Sequence, residues 1–271
     1  MGLVTVTAKD LLVGAVEASK RRSSVQFPKE AVRIVDLTQE HTFFSALFSR
    51  GEAQMKLYLT LVMMTRKPPH TLFKIRPDHY FAEMLGFEEL DRENPRPGPG
   101  TRRVTRAMAQ LTTAGWVTRV RERGRGSTIT VSHMPLPEKQ GPWVTLPIEL
   151  WSRGWINVMS ARALFVYTCL RLVLAGKPDD QAAHLATQDR KNMRLTDDTW
   201  QRGIHDLERL GLVRTEITRV VTDRWSSDLS LRKVCYLNNT HLLETDSPAS
   251  PPTESPSKEV PPQAQGAVGA I

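Results

Sequence analysis

Apolar residues recur with helical spacing between Thr101 and Gly115. Val104, Met108 and Leu111 are spaced i, i+4 and i+7, which places them on one face of a helix. Thr101 is a suitable N-cap, and Gly115 stands where a left-handed residue would end the helix. The pattern therefore predicts an amphipathic helix over this stretch.

After Gly115 the pattern changes to the alternation of a strand. Val117, Arg119 and Arg121 fall on one face of that strand, and Thr118 lies on the other. A basic turn with the letters RGRG follows, and the next five residues are mostly β-branched. The pattern predicts a helix followed by a basic hairpin.

The preceding residues predict a further set of elements. Residues 55–63 are apolar on most sides, which indicates a buried helix, and residues 72–75 form a short strand. An apolar face over 80–85 predicts another helix, and a loop rich in proline and glycine follows at 91–100. The predicted order is helix, short strand, helix, loop, basic helix and hairpin.

A second series of predicted elements, in a similar order, begins at Trp143. Trp200, Ile204 and Leu207 form an apolar helical stripe, and Thr196 is placed to cap the helix that carries it. Around that stripe the pattern predicts an apolar helix over 161–174, a middle helix over 182–194, and strands over 212–221 and 231–237.

The two series also match letter by letter at corresponding points. The segment LTTAGWV, which begins at Leu111, aligns with LERLGLV, which begins at Leu207. On that register Met108 meets Ile204, and the letters SRG precede the first apolar helix of each half. Matches in the same order indicate a duplicated unit.

The order and the charge of these elements resemble the recognition helix and wing of winged-helix DNA-binding domains. The duplication is loosely similar to plasmid replication initiators built from two winged helices. The resemblance implies an α+β fold that is mostly α with small β-hairpins, as two winged-helix domains in tandem. The expected division is an N-terminal arm (1–30), domain 1 (31–134), a linker (135–142), domain 2 (143–243) and a disordered C-terminal tail (244–271).

The charge balance favours a polyanionic partner. The formal net charge is +8 and the pI is about 9.7, and a basic chain is typical of proteins that bind nucleic acid. Of the 37 basic residues, 26 are arginine. Arginine is better suited than lysine to form two parallel hydrogen bonds with a phosphate or a guanine edge, although a high-GC genome would also favour arginine.

The expected DNA contacts follow from the resemblance. The N-terminal part of a recognition helix reaches base edges, and the wing reaches the flanking backbone. The second helix begins with acids, so domain 1 is the expected main reader, and domain 2 serves either DNA binding through its wing or dimerisation. The candidate DNA-binding residues are Arg102, Arg103, Thr105 and Arg106 on the first helix, Arg119, Arg121, Arg123 and Arg125 in its wing, and Arg202 and Arg219 in the second domain.

The sequence does not favour an enzyme. It has no phosphate-binding GxxxxGK[ST] loop, and its seven histidines are scattered without an HExxH pair, so we expect no catalytic residues, no metal and no cofactor. The patch of Asp78, Glu83, Glu88 and Glu89 is typical of a solvated face.

The two cysteines are expected to be buried thiols in a reduced cytosol. No secretory signal or membrane span is indicated, which predicts a cytoplasmic, nucleoid-associated protein without membrane contact.

The sequence alone leaves three functions open. The first is sequence-specific binding of double-stranded DNA as a bacterial transcriptional regulator, with a homodimer formed through domain 2 as one arrangement. The second is initiation of plasmid or phage replication. The third is a structural interaction module like those of chromosome-segregation complexes, which the acidic second half fits better than the basic first half.

Overall fold

The computed structural model describes residues 6–34, 36, 38–75, 78–88, 97–122, 126–132, 143–177, 181–221 and 229–248. Within these ranges the fold is α+β, with helices packed around three small antiparallel sheets. The turn that carries Arg123 and Arg125, the predicted linker and the tail beyond residue 248 lie outside the described residues.

The first half of the chain forms the following elements: α1 (Ala8–Ser19), β1 (Ser24–Pro28), a short 3-10 turn (Lys29–Ala31), α2 (Phe43–Arg50), α3 (Glu52–Met64), β2 (Thr71–Ile75), α4 (Asp78–Met84), α5 (Pro99–Thr113), β3 (Val117–Glu122) and β4 (Gly126–Val131). The buried side chains of α5 include Val104, Met108 and Leu111, which confirms the predicted amphipathic helix.

The second half repeats much of this order with these elements: β5 (Trp143–Pro147), α6 (Glu149–Ser152), α7 (Trp155–Val158), α8 (Ala161–Val173), α9 (Thr187–Asn192), α10 (Asp197–Arg209), β6 (Val213–Val221), β7 (Leu229–Leu237) and α11 (Asn239–Glu244). The predicted apolar stripe on α10 is confirmed, because Trp200, Ile204 and Leu207 are all buried. Thr196 caps that helix as predicted, accepting a hydrogen bond from the Thr199 amide at 3.2 Å.

The sheets of the two halves have the same strand order. The first sheet is ordered β2-β4-β3. In the second, Ala183 bridges to Cys235 on β7, which pairs with β6, so the order is again first, third, second. The helix ends also match, since the Trp116 amide donates to the Leu111 carbonyl at 3.0 Å and the Leu212 amide to the Leu207 carbonyl at 2.9 Å. These shared bonds support the aligned repeat.

Strand β1 joins the two halves. It pairs antiparallel with β5, with Val25 opposite Leu146 and Phe27 opposite Val144. The two strands have related letters, SVQFP and WVTLP, so the repeat begins within the residues predicted as an N-terminal arm. We therefore call residues 24–132 the first unit and residues 143–237 the second unit.

A single hydrophobic core runs through both units. Helix α3 lies at its centre, with every residue from Ala53 to Met63 buried, as the all-round apolar pattern predicted. Two of its buried polar side chains find partners in the second unit. The Thr60 hydroxyl accepts from the Trp151 indole at 3.1 Å, and the Lys56 ammonium donates to the Asn157 carbonyl at 2.8 Å.

Two predicted elements differ from the structure. The middle helix expected over 182–194 is only the short α9, because the backbone of Ala183 pairs with Cys235 as a strand instead. The start of the predicted disordered tail is held on the body. Asp246 forms ion pairs with Lys9 at 2.6 Å and Arg153 at 3.3 Å.

Replacement of Gly203 by alanine tests the close packing of α10 on α8. A Cβ atom there would lie 2.5 Å from Val166 Cγ2 and 3.1 Å from the Arg162 carbonyl. We expect Gly203→Ala to lower the free energy of unfolding by about 1–2 kcal/mol through overpacking. Urea denaturation measures this.

The matched control is Gly14→Ala in α1, where nothing lies within 4 Å of the added atom. This change should raise the free energy of unfolding by about 0.5–1 kcal/mol through helix propensity and chain entropy. Equal effects of the two substitutions would contradict the close α8–α10 contact.

Candidate nucleic-acid interface

Helix α5 presents its polar face to solvent because its apolar face is fixed in the core. Its hydrophobic side chains pack inward, and Gly100 lies against the backbone carbonyl of Phe87, where a Cβ would come within 2.4 Å of the oxygen. The exposed side chains of the helix therefore have a defined position. They include Arg102, Arg103, Thr105 and Arg106.

The N-terminus of α5 is capped by a carboxylate from another segment. Gly98 is the N-cap residue, and the Thr101 amide and hydroxyl donate to Glu88 Oε2 at 2.6 Å and 2.5 Å. The prediction that Thr101 is the N-cap is therefore wrong, because the helix begins at Pro99 and Thr101 lies within its first turn. Glu88 also differs from the expected solvated acid, since it satisfies the free donors at the positive end of the helix.

Asp78 holds α4, α5 and β3 together. Its carboxylate accepts a hydrogen bond from the Thr105 hydroxyl at 2.7 Å and lies 2.7 Å from Arg119 Nη1. The side chains of Arg119 and Asp78 are 11% and 8% exposed, so Asp78 is not part of a solvated face. Thr105 and Arg119, both candidate DNA contacts, are engaged within the protein and position the helix against the hairpin.

Arg103 belongs to an ionic network that also includes the buried Lys56. Its Nη2 atom lies 3.1 Å from Glu52 Oε2, and its guanidinium stands 4.4 Å from the centre of the Phe87 ring. The other oxygen of Glu52 lies 2.6 Å from Lys56 Nζ, and that lysine is only 2% exposed. Burial would raise the pKa of Glu52, but Lys56 and Arg103 outweigh it and keep the pKa below its ordinary value. The charge of Arg103 is therefore partly neutralised by Glu52 within the protein.

Arg102, Arg106 and Arg121 are exposed side chains of the interface. They line a groove of about 680 Å³ between α5 and the β3–β4 hairpin. Arg102 Nη1 donates to the Pro97 carbonyl at 3.4 Å. Within the described ranges, no acid pairs with any of the three. Their charges are available to an anionic partner, and we call these three residues the arginine ridge.

A second concavity lies on the opposite side of α5. Its volume is about 390 Å³, and Arg102, Arg103 and Arg106 line it together with Arg50 and Glu52. Arg50 was not a sequence candidate, and its guanidinium stands 5.0 Å from the centre of the Trp116 ring. Its only sequence signal was its place in the repeated SRG letters. Arg102 and Arg106 thus stand between two concave surfaces.

The second unit has a different electrostatic character. On α10, Arg202 pairs with Asp198 at 2.9 Å, so its charge is balanced locally. Asp206 accepts from Arg162 and Ser160; burial would raise the pKa of Asp206, but these hydrogen bonds hold it below its ordinary value. Arg219, on the separate strand β6, is exposed. The structure therefore places the two second-unit candidates in unlike surroundings.

Neither a search for metal sites and membrane spans nor a comparison with known proteins assigns a further function. Within the described ranges no three His, Cys, Asp or Glu side chains are placed to hold a metal ion, and each helix is too short or too polar to cross a bilayer. The two cysteines are free and buried as expected. The chain matches no protein-family model, no curated protein and no solved structure.

Removal of the Asp78 carboxylate tests its role in placing α5. Asp78→Ala leaves Arg119 largely buried without its partner, and we expect the free energy of unfolding to fall by about 3 kcal/mol. Chemical denaturation measures the loss. The control is Glu83→Ala on the same helix, which should change stability by less than about 0.5 kcal/mol. Similar free energies of unfolding for the two variants would contradict the proposal that Asp78 fixes the position of α5.

Proposed function

We propose that the chain is a sequence-specific binder of double-stranded DNA built from two winged-helix units, with α5 as the reading helix. The observation that carries the proposal is the arginine ridge, three cations without acidic partners among the described residues, beside a groove formed by a helix and a hairpin. The order helix, strand, helix, helix and hairpin, together with the strand order β2-β4-β3, supports the fold.

The geometry of α5 suits the major groove. The helix has 15 residues, so it is about 22 Å long, and its exposed arginines lie in the first half. Arginine forks match the O6 and N7 atoms of guanine, and the same side chains can reach phosphates. We assign Arg121 on the hairpin to the flanking DNA backbone, since it lines the same groove. The N-terminus of the helix is capped by the Glu88 carboxylate, which would repel a phosphate. We therefore assign DNA contact to the arginine ridge rather than to the helix end.

Transcriptional regulation is the process we propose for this binding. Replication initiation is the second candidate, and the duplicated unit with one continuous core favours it because of the resemblance to two-winged-helix initiators. The two processes predict different targets. A regulator binds operators upstream of genes, while an initiator binds repeated sites at an origin. Sequencing of the DNA bound in cells, followed by footprinting, distinguishes them.

The arginine ridge gives the direct test of DNA binding. We expect the Arg102→Ala, Arg106→Ala double variant to weaken binding of a selected duplex at least tenfold, since each lost base contact costs about 1–3 kcal/mol. Each lost phosphate contact should reduce the salt slope by about one unit. Fluorescence anisotropy at several salt concentrations measures both.

Arg202→Ala is the control, because it removes an exposed arginine that already pairs with an acid on α10. We expect its affinity to stay within about twofold of the wild type. Circular dichroism confirms that each variant is folded. Undiminished binding by the folded double variant would refute the assignment of α5 as the reading helix.

A further inference from the structure

Strands β6 and β7 extend beyond the core of the second unit. They pair over nine residues each, from Val213 opposite Leu237 to Val221 opposite Leu229. At the base of this ribbon, Val213, Cys235 and Leu237 are buried. Farther along, Ile217 is 74% exposed and Leu231 is 68% exposed. The face that is apolar inside the core thus continues into solvent.

The register places these apolar residues beside cations on one face. Ile217 stands opposite Lys233, and Arg219 stands opposite Leu231. Residues paired across two strands share a face, as do residues two apart on one strand. Ile217 and Leu231 are therefore diagonal neighbours, flanked by Arg219 and Lys233. Lys233 Nζ lies 4.0 Å from Glu208 Oε1, at the edge of ion-pair distance.

The charge of the ribbon is strongly positive. Between Val213 and Arg219 and between Leu231 and Leu237, its described side chains include four cations and one acid. The acid, Glu216, pairs with Arg214, which also lies 4.8 Å from the centre of the Tyr236 ring. Arg232 lies on the opposite face from Arg219 and is exposed. Cations thus occur on both faces.

We propose that the β6–β7 ribbon inserts into the minor groove of DNA and bends the duplex. In this arrangement Ile217 and Leu231 pack against sugars and base edges, while Arg219 and Lys233 contact the phosphates on either side. Apolar side chains that enter the minor groove unstack base steps and kink the helix. The inference rests on the proposed DNA binding and names how the second unit contributes to it.

The surroundings of α10 favour the ribbon over that helix as the second DNA contact. The first turn of α10 carries Asp197 and Asp198, which pair with Arg190 at 3.0 Å and Arg202 at 2.9 Å, so these two arginines near the start of the helix are already balanced by acids. The ribbon instead has exposed cations on both faces just beyond Ile217, with Arg219 on one face and Arg232 on the other. A groove surrounds what enters it, so exposure on both faces suits insertion better than docking against a flat surface.

The same charges disfavour a second copy of the chain on this face. A twofold contact through Ile217 and Leu231 would bring the Arg219 and Lys233 side chains of both copies together. Like charges in a desolvated contact are costly. An acidic protein segment is the other conceivable occupant, and it is an outcome of the test below.

The test measures DNA bending by energy transfer between dyes at the two ends of a duplex of about 30 base pairs. We expect wild-type protein to shorten the end-to-end distance. The Ile217→Ser, Leu231→Ser variant should lose most of the bend, and its affinity should fall about tenfold from lost apolar burial. Its footprint around the α5 site should remain.

The matched control is Phe73→Ser, Val120→Ser, which removes two exposed apolar side chains from strands of the first unit. This variant should bend DNA as the wild type does. A second variant, Arg219→Gln, Lys233→Gln, should reduce the salt slope by about two units, and circular dichroism confirms that each variant is folded. A salt slope unchanged in the Arg219→Gln, Lys233→Gln variant would refute the phosphate contacts.

The outcomes separate this inference from the proposed function. A duplex that wild-type protein binds through the arginine ridge but does not bend would overturn the ribbon proposal alone. Unchanged bending by the Ile217→Ser, Leu231→Ser variant would do the same. A wild-type dimer that becomes a monomer in that variant, or an acidic peptide that competes at the ribbon without affecting bending, would also overturn it. Loss of all duplex binding only in the arginine-ridge variant would support the proposed function.

Discussion

Two buried polar side chains on α3 link the halves of the molecule. Lys56 and Thr60 each have a partner in the second unit, the Asn157 carbonyl and the Trp151 indole. A buried ammonium needs hydrogen-bonding partners, and Lys56 has one in each unit, Glu52 and the Asn157 carbonyl, so the second unit contributes to the stability of the central helix of the first. Burial lowers the pKa of Lys56, and Glu52 opposes this by favouring the charged form.

The same network reaches the candidate interface. Glu52 contacts both Lys56 and Arg103, so an acid needed in the core also holds one arginine of α5. Asp78 does the equivalent on the other side of the helix for Arg119 and Thr105. The basic face of α5 is therefore divided into arginines that position the helix and arginines that remain available. The electrostatics of the interface follow from that division more than from the total charge.

Local patterns predicted the elements whose signal lies within a short stretch. The apolar stripes on α5 and α10 were predicted correctly because burial follows periodicity there, and the strands of the two hairpins lie close to their predicted positions. The pairing of β1 with β5 and the bridge at Ala183 were missed, since each depends on a partner far away in the sequence.

The roles of Asp78 and Glu88 were missed for a related reason. The sequence around a carboxylate at a helix end does not indicate whether that carboxylate contacts water, an arginine or the start of another helix. Glu88 is separated by 13 positions from Thr101, and no periodicity connects them. Partner identity is a property of the folded chain, so the division among the candidate arginines became visible only in three dimensions.

The β1–β5 pairing has a consequence for the spacing of any target. Because this small sheet and the continuous core fix one unit against the other, the arginine ridge and the ribbon are held at one separation. A duplex that meets both must present its two grooves in a matching helical phase, and each added base pair turns the second contact by about 35°. The junction between the units would then act as a molecular ruler, selecting sites by length as well as by sequence.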